Sequence, residues 1–223
     1  MNPSSQPWGA IFDWDGVIID SSGPHQASWQ RLAEQEGRRL PADHFLRGFG
    51  RRNEDIIPNI LGWSRDPNEI DRIAQKKEAL YRAIVREQGM EPLPGVRTWL
   101  RALKEASIPC AVGSSTERLN IDCVLELTGL EKFFDAIVSA DDVTQGKPNP
   151  QVFLLAAKKL GLAPERCVVF EDALVGIEAA RAAGMKVVGV ASTREAEELK
   201  DADVVVERLD RLSVRQIQNG FAP

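Results

Sequence analysis

The feature that most restricts the fold is a regular alternation that begins near Leu93. Apolar, strand-like runs at 110–113, 136–139, 167–170, 186–190 and 204–206 are separated by helical patterns at 96–106, 119–128, 150–160, 174–183 and 195–200. Strands that alternate with helices pair parallel, because a parallel partner cannot be reached through a tight turn and needs a crossover. A sixth run, Ala10-Ile11-Phe12, lies far upstream and joins the same sheet only if the intervening chain is an insertion. That stretch reads as helical. Trp29, Leu32, Ala33 and Glu36 recur at helical spacing and stop at Gly37; shorter helices are expected at 42–46 and 53–61; a long helix at 68–87 carries Ile70, Ile73, Ala74, Leu80, Tyr81 and Ile84 as its stripe. Residues 21–24 and the group Pro92, Pro94, Gly95 mark the outgoing and return connections. The expected class is α/β: a three-layer core with a six-strand parallel sheet, made of 1–21 and 93–223, carrying an all-helical inserted domain at 22–92. There is no internal repeat and no low-complexity tract.

The first strand leads straight into chemistry. In Ile11-Phe12-Asp13-Trp14-Asp15-Gly16-Val17-Ile18, two carboxylates stand two residues apart after an apolar run and before a glycine turn. In an open α/β sheet ligands bind outside the carboxyl ends of the strands, so these acids are better placed for chemistry than acids on a helix surface. Read alone, Asp15-Gly16 also serves as an ordinary turn pair. Other strand ends repeat the pattern. Ser114-Ser115-Thr116, with Glu117-Arg118 at the following helix start, suits either a phosphate or a plain N-cap. Asp141 and Asp142 lead to Gly146-Lys147-Pro148-Asn149-Pro150, where Asn149-Pro150 starts a helix and Lys147 is held between glycine and proline rather than on a wet helix face. The run 167–170 ends in Glu171-Asp172. Each end alone is weak; four complementary ends on one sheet are hard to obtain by accident. Clustered carboxylates suit Mg²⁺, which is completed by waters and substrate phosphate. The lysine and the serine suggest the phosphate itself. Neither cysteine nor histidine stands near these ends, which disfavours zinc.

Composition narrows the partners. The 223 residues are 43% hydrophobic, enough for a real core, and carry a formal charge of −5 with a pI near 5.3. No basic footprint exists for nucleic acid or an anionic membrane, although a local positive site for an anionic substrate stays open. Cys110, Cys123 and Cys167 are too few and too scattered for a disulfide framework, and read as buried reduced thiols. No apolar run has the length of a membrane span, and residues 1–8 are short, polar and uncharged. A cytoplasmic protein with a frayed start is expected.

These motifs resemble those of the haloacid dehalogenase superfamily of phosphotransferases, and within it the β-phosphoglucomutase-like group, whose helical cap interrupts a Rossmann-like core. The resemblance covers nearly the whole chain. It rests on Asp13-Trp14-Asp15-Gly16-Val17, on Ser114, on Lys147 within Gly-Lys-Pro-Asn-Pro, and on Glu171-Asp172 within Val-Phe-Glu-Asp-Ala-Leu-Val-Gly-Ile-Glu-Ala-Ala. It implies that Asp13 is the nucleophile and forms an aspartyl-phosphate, a role that suits a carboxylate because it is already ionised at neutral pH. Asp15 is implied as general acid and base and must then enter the cycle protonated. Lys147 and the Ser114 region would hold the phosphoryl oxygens, and Mg²⁺ would be held by Asp13, the backbone carbonyl of Asp15 and Asp172, with Glu171 nearby. In the cap, the resemblance assigns His25 to positioning the acid–base aspartate, Lys77 to the substrate, and Gly48 through Arg51 or Arg52 to a substrate loop. Ser115, Thr116, Arg118 and Asn149 complete the expected substrate-binding set. This chain departs from the mutase pattern with Arg47 in place of lysine, Gly50 in place of serine, and a second arginine beside the expected one. Lys77 stands out without the family as well: three residues after Ala74 and three before Leu80, it falls on the buried stripe, where a snorkelling lysine at the stripe's edge is the bland alternative.

The leading expectation is therefore a Mg²⁺-dependent phosphatase, monomeric, acting on a small phosphorylated metabolite such as a sugar phosphate, with water as acceptor. A phosphomutase of the β-phosphoglucomutase type is the alternative, with a closed cap excluding water. The resemblance disfavours a phosphonatase, which needs a Schiff-base lysine from its cap, and a dehalogenase, which normally lacks the acid at the Asp15 position. A non-catalytic binding module could have lost Asp13 or Asp15, and this chain keeps both.

Overall fold

The computed structural model describes residues 8–48 and 51–220. The expected fraying at residues 1–7, and the loop positions Phe49 and Gly50, lie outside the described residues; Trp8 itself is buried. Among the described residues, six strands form one parallel sheet in the order β3-β2-β1-β4-β5-β6. They are β1 (Gly9–Phe12), β2 (Cys110–Gly113), β3 (Ala136–Val138), β4 (Cys167–Glu171), β5 (Lys186–Val190) and β6 (Val204–Val206). All residues of β1, β2 and β4 are buried, as expected of central strands covered on both faces. One face packs Ile11, Ala111, Val169 and Val187 against Val152, Phe153, Ile177 and Ala180 of the crossover helices α7 (Gln151–Leu160) and α8 (Leu174–Ala182). In addition, Phe12 stacks on Phe170 at 4.5 Å, and Trp99 of α5 (Val96–Glu105) meets Phe170 edge-on.

Chain contacts divide the protein into two compact units. One holds the sheet and comprises the residues up to Asp20, Glu91–Ile121 and Thr128 onward; the other comprises Ser21–Met90 and Asp122–Leu127. The two crossings of the chain lie side by side within the sheet unit, where Ile19 bridges Pro92 and the Leu93 N–H donates to the Ile18 carbonyl at 2.9 Å. The helical unit contains α1 (Ser22–Glu36), α2 (His44–Gly48), α3 (Asn53–Ile56) and α4 (Pro67–Gln88), around a core of Trp29, Leu32, Ile56, Ile57, Leu61, Ile73 and Ala74. The residues Asp122–Leu127 that group with it come from the middle of α6 (Arg118–Thr128).

Several elements differ from the sequence reading. The second helix starts two residues later than expected, at His44. The expected helix at 53–61 is α3 followed by a π turn, Ile57–Leu61, because Pro58 has no N–H to continue the α ladder. The expected helix at 195–200 is a single 3₁₀ turn, Ala196–Leu199, with only Leu199 buried and so no apolar stripe to extend it. A short α9 (Val214–Gln218) was not expected, although Ser213 and Gln216 form a capping box legible as Ser-x-x-Gln. No helix among the described residues is long and apolar enough to cross a membrane.

Candidate active site

The sheet order reverses beside β1: the chain leaves it for β2 on one side and later pairs it with β4 on the other. Such a switch point opens a crevice at the carboxyl ends of the strands. Asp13 is the first residue after β1, and its N–H donates to the Phe170 carbonyl at 2.9 Å, so it is pinned to β4. Asp172 is the first residue after β4, and Glu171 is the last within it. Trp14 is fully buried, and its carbonyl accepts from the N–H groups of Val17, Ile18 and Ile19 at 3.4, 2.9 and 3.2 Å. This folds the chain sharply just past the two acids. Gly16 has φ +77°, and a side chain there would overlap the Asp172 carboxylate, so glycine is required on both counts.

Lys147 ties the acids together. Its Nζ lies 3.0 Å from Asp13 Oδ1 and 2.7 Å from Glu171 Oε1, and stands 4.7 Å from the Phe153 ring centroid. Glu171 is fully buried, and its other oxygen accepts from the Ala173 N–H at 2.6 Å. The helix α8 passes so close that a side chain at Gly176 would overlap the Glu171 carboxylate. Burial alone would lower the Lys147 ammonium, but Asp13 and Glu171 outweigh it and hold the ammonium above its usual range. Glu171 and Asp172 are both pushed up, first by burial; Lys147 opposes the rise in Glu171, and the Asp13 charge adds to it in both. One oxygen each of Asp13, Glu171 and Asp172 lie within 4.8 Å of one another. Three carboxylates therefore share one lysine in a dry place, an excess of negative charge that suits a hard divalent cation with oxygen ligands.

The remaining expected residues of the sheet unit separate into groups. Thr116 Oγ1 donates to Asp15 Oδ2, and the buried Ser114 hydroxyl donates to Thr116 Oγ1 and accepts from the Thr116 N–H, both at 3.3 Å. Ser114 and Thr116 thus stand with Asp15. Ser115 and Arg118 are exposed, and the Arg118 N–H at the start of α6 is taken by Asp141 Oδ2 at 3.2 Å. Asn149 is placed as a loop staple: its Nδ2 donates to Gln145 Oε1, and its Oδ1 accepts from the Gln151 N–H at 3.0 Å. Beside it, Gln151 Oε1 accepts from the N–H groups of Thr144 and Gln145 and from the Thr144 hydroxyl, tying down the loop that carries Lys147. Cys110, Cys123 and Cys167 are free and buried; burial pushes Cys110 to about 12 and Cys167 to about 11, so neither offers a thiolate.

The helical unit carries a second polar cluster. Lys77 is 3% exposed, which places it on the buried stripe of α4 as the spacing suggested. Its Nζ lies 2.6 Å from His25 Nδ1 and 2.8 Å from Glu78 Oε1, while Asn53 Nδ2 donates to the same Glu78 oxygen at 2.8 Å. The His25 ring stacks on Tyr81 at 4.2 Å, and the Lys77 ammonium stands 5.5 Å from Trp29 and 5.6 Å from Tyr81. Burial and then the Lys77 charge push His25 down to about 3, so the ring is neutral. Burial pushes Glu78 up, but Lys77 foremost outweighs it and holds the carboxyl at about 2. Gly48 is buried against Ile56, and Arg51 and Arg52 are exposed, with Arg52 at the N-cap position of α3 but making no side-chain capping bond.

Sequence reasoning missed Glu78, Ser192 and Thr193. Glu78 had a signal, since it lies four residues after Ala74 and three before Tyr81 on the buried stripe. Ser192 and Thr193 had none: their hydroxyls donate to the Gly16 carbonyl and to Asp172 Oδ2, partners distant in sequence.

A family model described as haloacid dehalogenase-like hydrolase matches residues 9–184. A chloroplastic 5-amino-6-(5-phospho-D-ribitylamino)uracil phosphatase of Arabidopsis thaliana is 40% identical over 209 residues; the match takes in 92% of this chain but only 56% of that relative's length. Fructose-1-phosphate phosphatase YqaB of Escherichia coli is 35% identical over 185 residues, covering 82% of this chain and 95% of that protein. Among solved structures, a β-phosphoglucomutase from Clostridium difficile is similar at a TM-score of 0.83 and 30% identity, with 97% of each chain covered.

Proposed function

Because this chain belongs to the haloacid dehalogenase-like hydrolase family, we propose that it is a Mg²⁺-dependent phosphatase acting on a small phosphorylated metabolite, a sugar phosphate or a close relative of one. The single observation that carries the reading is the set Asp13, Lys147, Glu171 and Asp172 gathered at the switch point of the sheet. The relatives named as phosphatases of phosphorylated sugars and a phosphoribitylamino compound support the substrate class. The buried free cysteines support a reducing, cytoplasmic setting.

Asp13 and Asp172 would hold Mg²⁺ together with the Asp15 carbonyl, with Glu171 beside them. When bound, the ion offsets the negative charge that would otherwise repel an anionic substrate from the carboxylates. Lys147 draws the phosphoryl oxygens toward Asp13, and Glu171 holds the ammonium in place. The Asp13 carboxylate oxygen forms a bond to phosphorus as the ester oxygen departs, and that oxygen takes a proton from Asp15. Asp15, now ionised, removes a proton from water; the water oxygen bonds to phosphorus, the Asp13–phosphorus bond breaks, and inorganic phosphate leaves. Thr116 and Ser114 orient Asp15 for both transfers.

Release of inorganic phosphate from a panel of sugar and polyol phosphates, with Mg²⁺ and with chelator, tests the reading. Turnover is expected only with the metal, and Asp13→Asn is expected to lower it by roughly 10³-fold or more. Undiminished turnover in Asp13→Asn would overturn the mechanism. A second reading, phosphomutase, is favoured by the similarity to the C. difficile β-phosphoglucomutase. Isomerisation of β-glucose 1-phosphate dependent on a bisphosphate primer would select it.

A further inference from the structure

The loop after β5 reaches both halves of the proposed metal site. β5 pairs with β4, so the chain that leaves β5 at Val190 emerges beside the end of β4 that carries Asp172. Its own backbone is fixed there: the Ala191 N–H donates to the Val206 carbonyl at 2.8 Å and the Ser192 N–H to the Val190 carbonyl at 2.9 Å. From this anchored position two adjacent hydroxyls point at two different parts of the site. Ser192 Oγ donates to the carbonyl of Gly16, in the turn that follows Asp15, and Thr193 Oγ1 donates to Oδ2 of Asp172. The Thr193 methyl stands 3.0 Å from where a Gly16 Cβ would be, so the threonine also packs against the turn.

We infer that Ser192 and Thr193 form a strap that positions the metal-binding face: Thr193 occupies one oxygen of Asp172 and turns the other toward Asp13, while Ser192 fixes the turn that presents the Asp15 carbonyl. This rests on the reading of Asp13 and Asp172 as metal ligands. The physical case is that a carboxylate with one oxygen held by a fixed donor cannot rotate between alternative faces. A metal ion then meets a preorganised oxygen instead of having to order it. Partners of this kind, one bond removed from the ion, typically contribute roughly 10- to 100-fold in metal affinity. A threonine suits the task better than serine or valine on separate grounds. Its hydroxyl supplies the donor, and its β-branch restricts χ1 so that the donor stays aimed.

The test is direct binding without substrate. Mn²⁺, a stand-in for Mg²⁺ with the same preference for oxygen ligands, is titrated into the metal-free full chain, and free Mn²⁺ is read by electron paramagnetic resonance. Thr193→Val is expected to weaken binding roughly 10- to 100-fold, and Thr193→Ser to remain within about 3-fold of the unaltered chain. Asp172→Asn serves as the control for the metal site. If Thr193→Val binds Mn²⁺ like the unaltered chain while Asp172→Asn does not, the strap is wrong and the metal site stands. If Asp172→Asn binds Mn²⁺ unchanged, the metal reading fails and takes the strap with it. Should Thr193→Val fail to give a cooperative thermal transition, Thr193→Ala replaces it with the same expected loss. A tenfold loss in Thr193→Ser would also overturn the inference, since the hydroxyl is retained there.

Discussion

Two buried lysines, one in each unit, sit in opposite electrostatic situations. Lys147 faces more acid than it can neutralise: it touches Asp13 and Glu171, and Asp172 lies within reach of both. Lys77 is balanced at home, with one carboxylate, Glu78, and a histidine that stays neutral. In the first cluster the acids outnumber the lysine, an excess that suits a hard divalent cation. The second is complete as it stands. A chain that buries charge for stability alone would make both like the second, so the imbalance at the carboxyl ends of the central strands is the better mark of chemistry.

Replacing each lysine with methionine is the sharpest way to break this comparison. Lys77→Met leaves Glu78 buried without its counter-charge, and breaking a buried pair in this way costs about 3–5 kcal/mol. Urea denaturation should show that loss, and Mg²⁺ should stabilise the variant by no more than it stabilises the unaltered chain. Lys147→Met also strands buried carboxylates, but there an ion can take the lysine's place as counter-charge. Its melting temperature should therefore rise more on adding Mg²⁺ than that of the unaltered chain, because stabilisation by a ligand grows with its affinity. Equal Mg²⁺ responses in the two variants would remove the distinction between the clusters.

How far this contrast was legible in the sequence differs between the two regions. The sheet cluster was readable because its acids follow apolar strand runs, Asp13 after Phe12 and Asp172 after Glu171 at the end of β4, and because Lys147 is held between a glycine and a proline. Register in a parallel sheet then brings the ends of β1 and β4 together without further information. In the helical unit only half the cluster was visible. Helical spacing put Lys77 on the buried face, but the same spacing put Glu78 there too, and a neighbouring acid was easy to pass over as a solvated charge. Asn149 has a loop role that its place in the sequence did not announce. Its place in Gly-Lys-Pro-Asn-Pro suggested a ligand contact, and both ends of its amide also hold the loop that presents Lys147. Contacts between loops far apart in sequence, such as Thr193 with Asp172, leave no periodic trace at all.

Acid titration sharpens the comparison on a smaller scale. His25 stands at about 3 in the folded protein against an ordinary value of 6.5, and Glu78 at about 2 against 4.5. In both cases the unfolded chain takes up the proton first. The His25 contribution is whole above about pH 6.5 and is lost as pH falls toward 3; the Glu78 contribution is whole above about pH 4.5 and is lost as pH falls toward 2. Over the range from pH 6.5 to 4 the raised carboxyls of Glu171 and Asp172 act in the opposite sense, because there the folded protein takes up the proton first, so the His25 contribution is read as the difference between the unaltered chain and His25→Gln in urea melts of the metal-free protein. As pH falls from 6.5 to 4, His25→Gln should gain stability relative to the unaltered chain by a few kcal/mol, and the Glu78 contribution below that range should be the same in both. An unchanged slope in that variant would mean that His25 is not held neutral by its surroundings.

The smallest effect is expected from a network of exposed ion pairs. On the outside of the helical unit Arg72 bonds both Glu36, at 2.7 Å, and Glu69, at 2.8 Å, and Arg38 and Lys76 reach the same two acids. By count this network exceeds either buried cluster, but the Arg72 side chain is 46% exposed. Its charges are already well solvated in the unfolded chain, and holding a long side chain in one geometry offsets most of what the pairing gains. Arg72→Ala should shift the melting temperature by no more than about 2 °C, and less as salt is raised. A shift as large as that of Lys77→Met would show that exposure is the wrong variable. The balance of charge within a cluster, buried or not, would then have to be judged by its number of bonds.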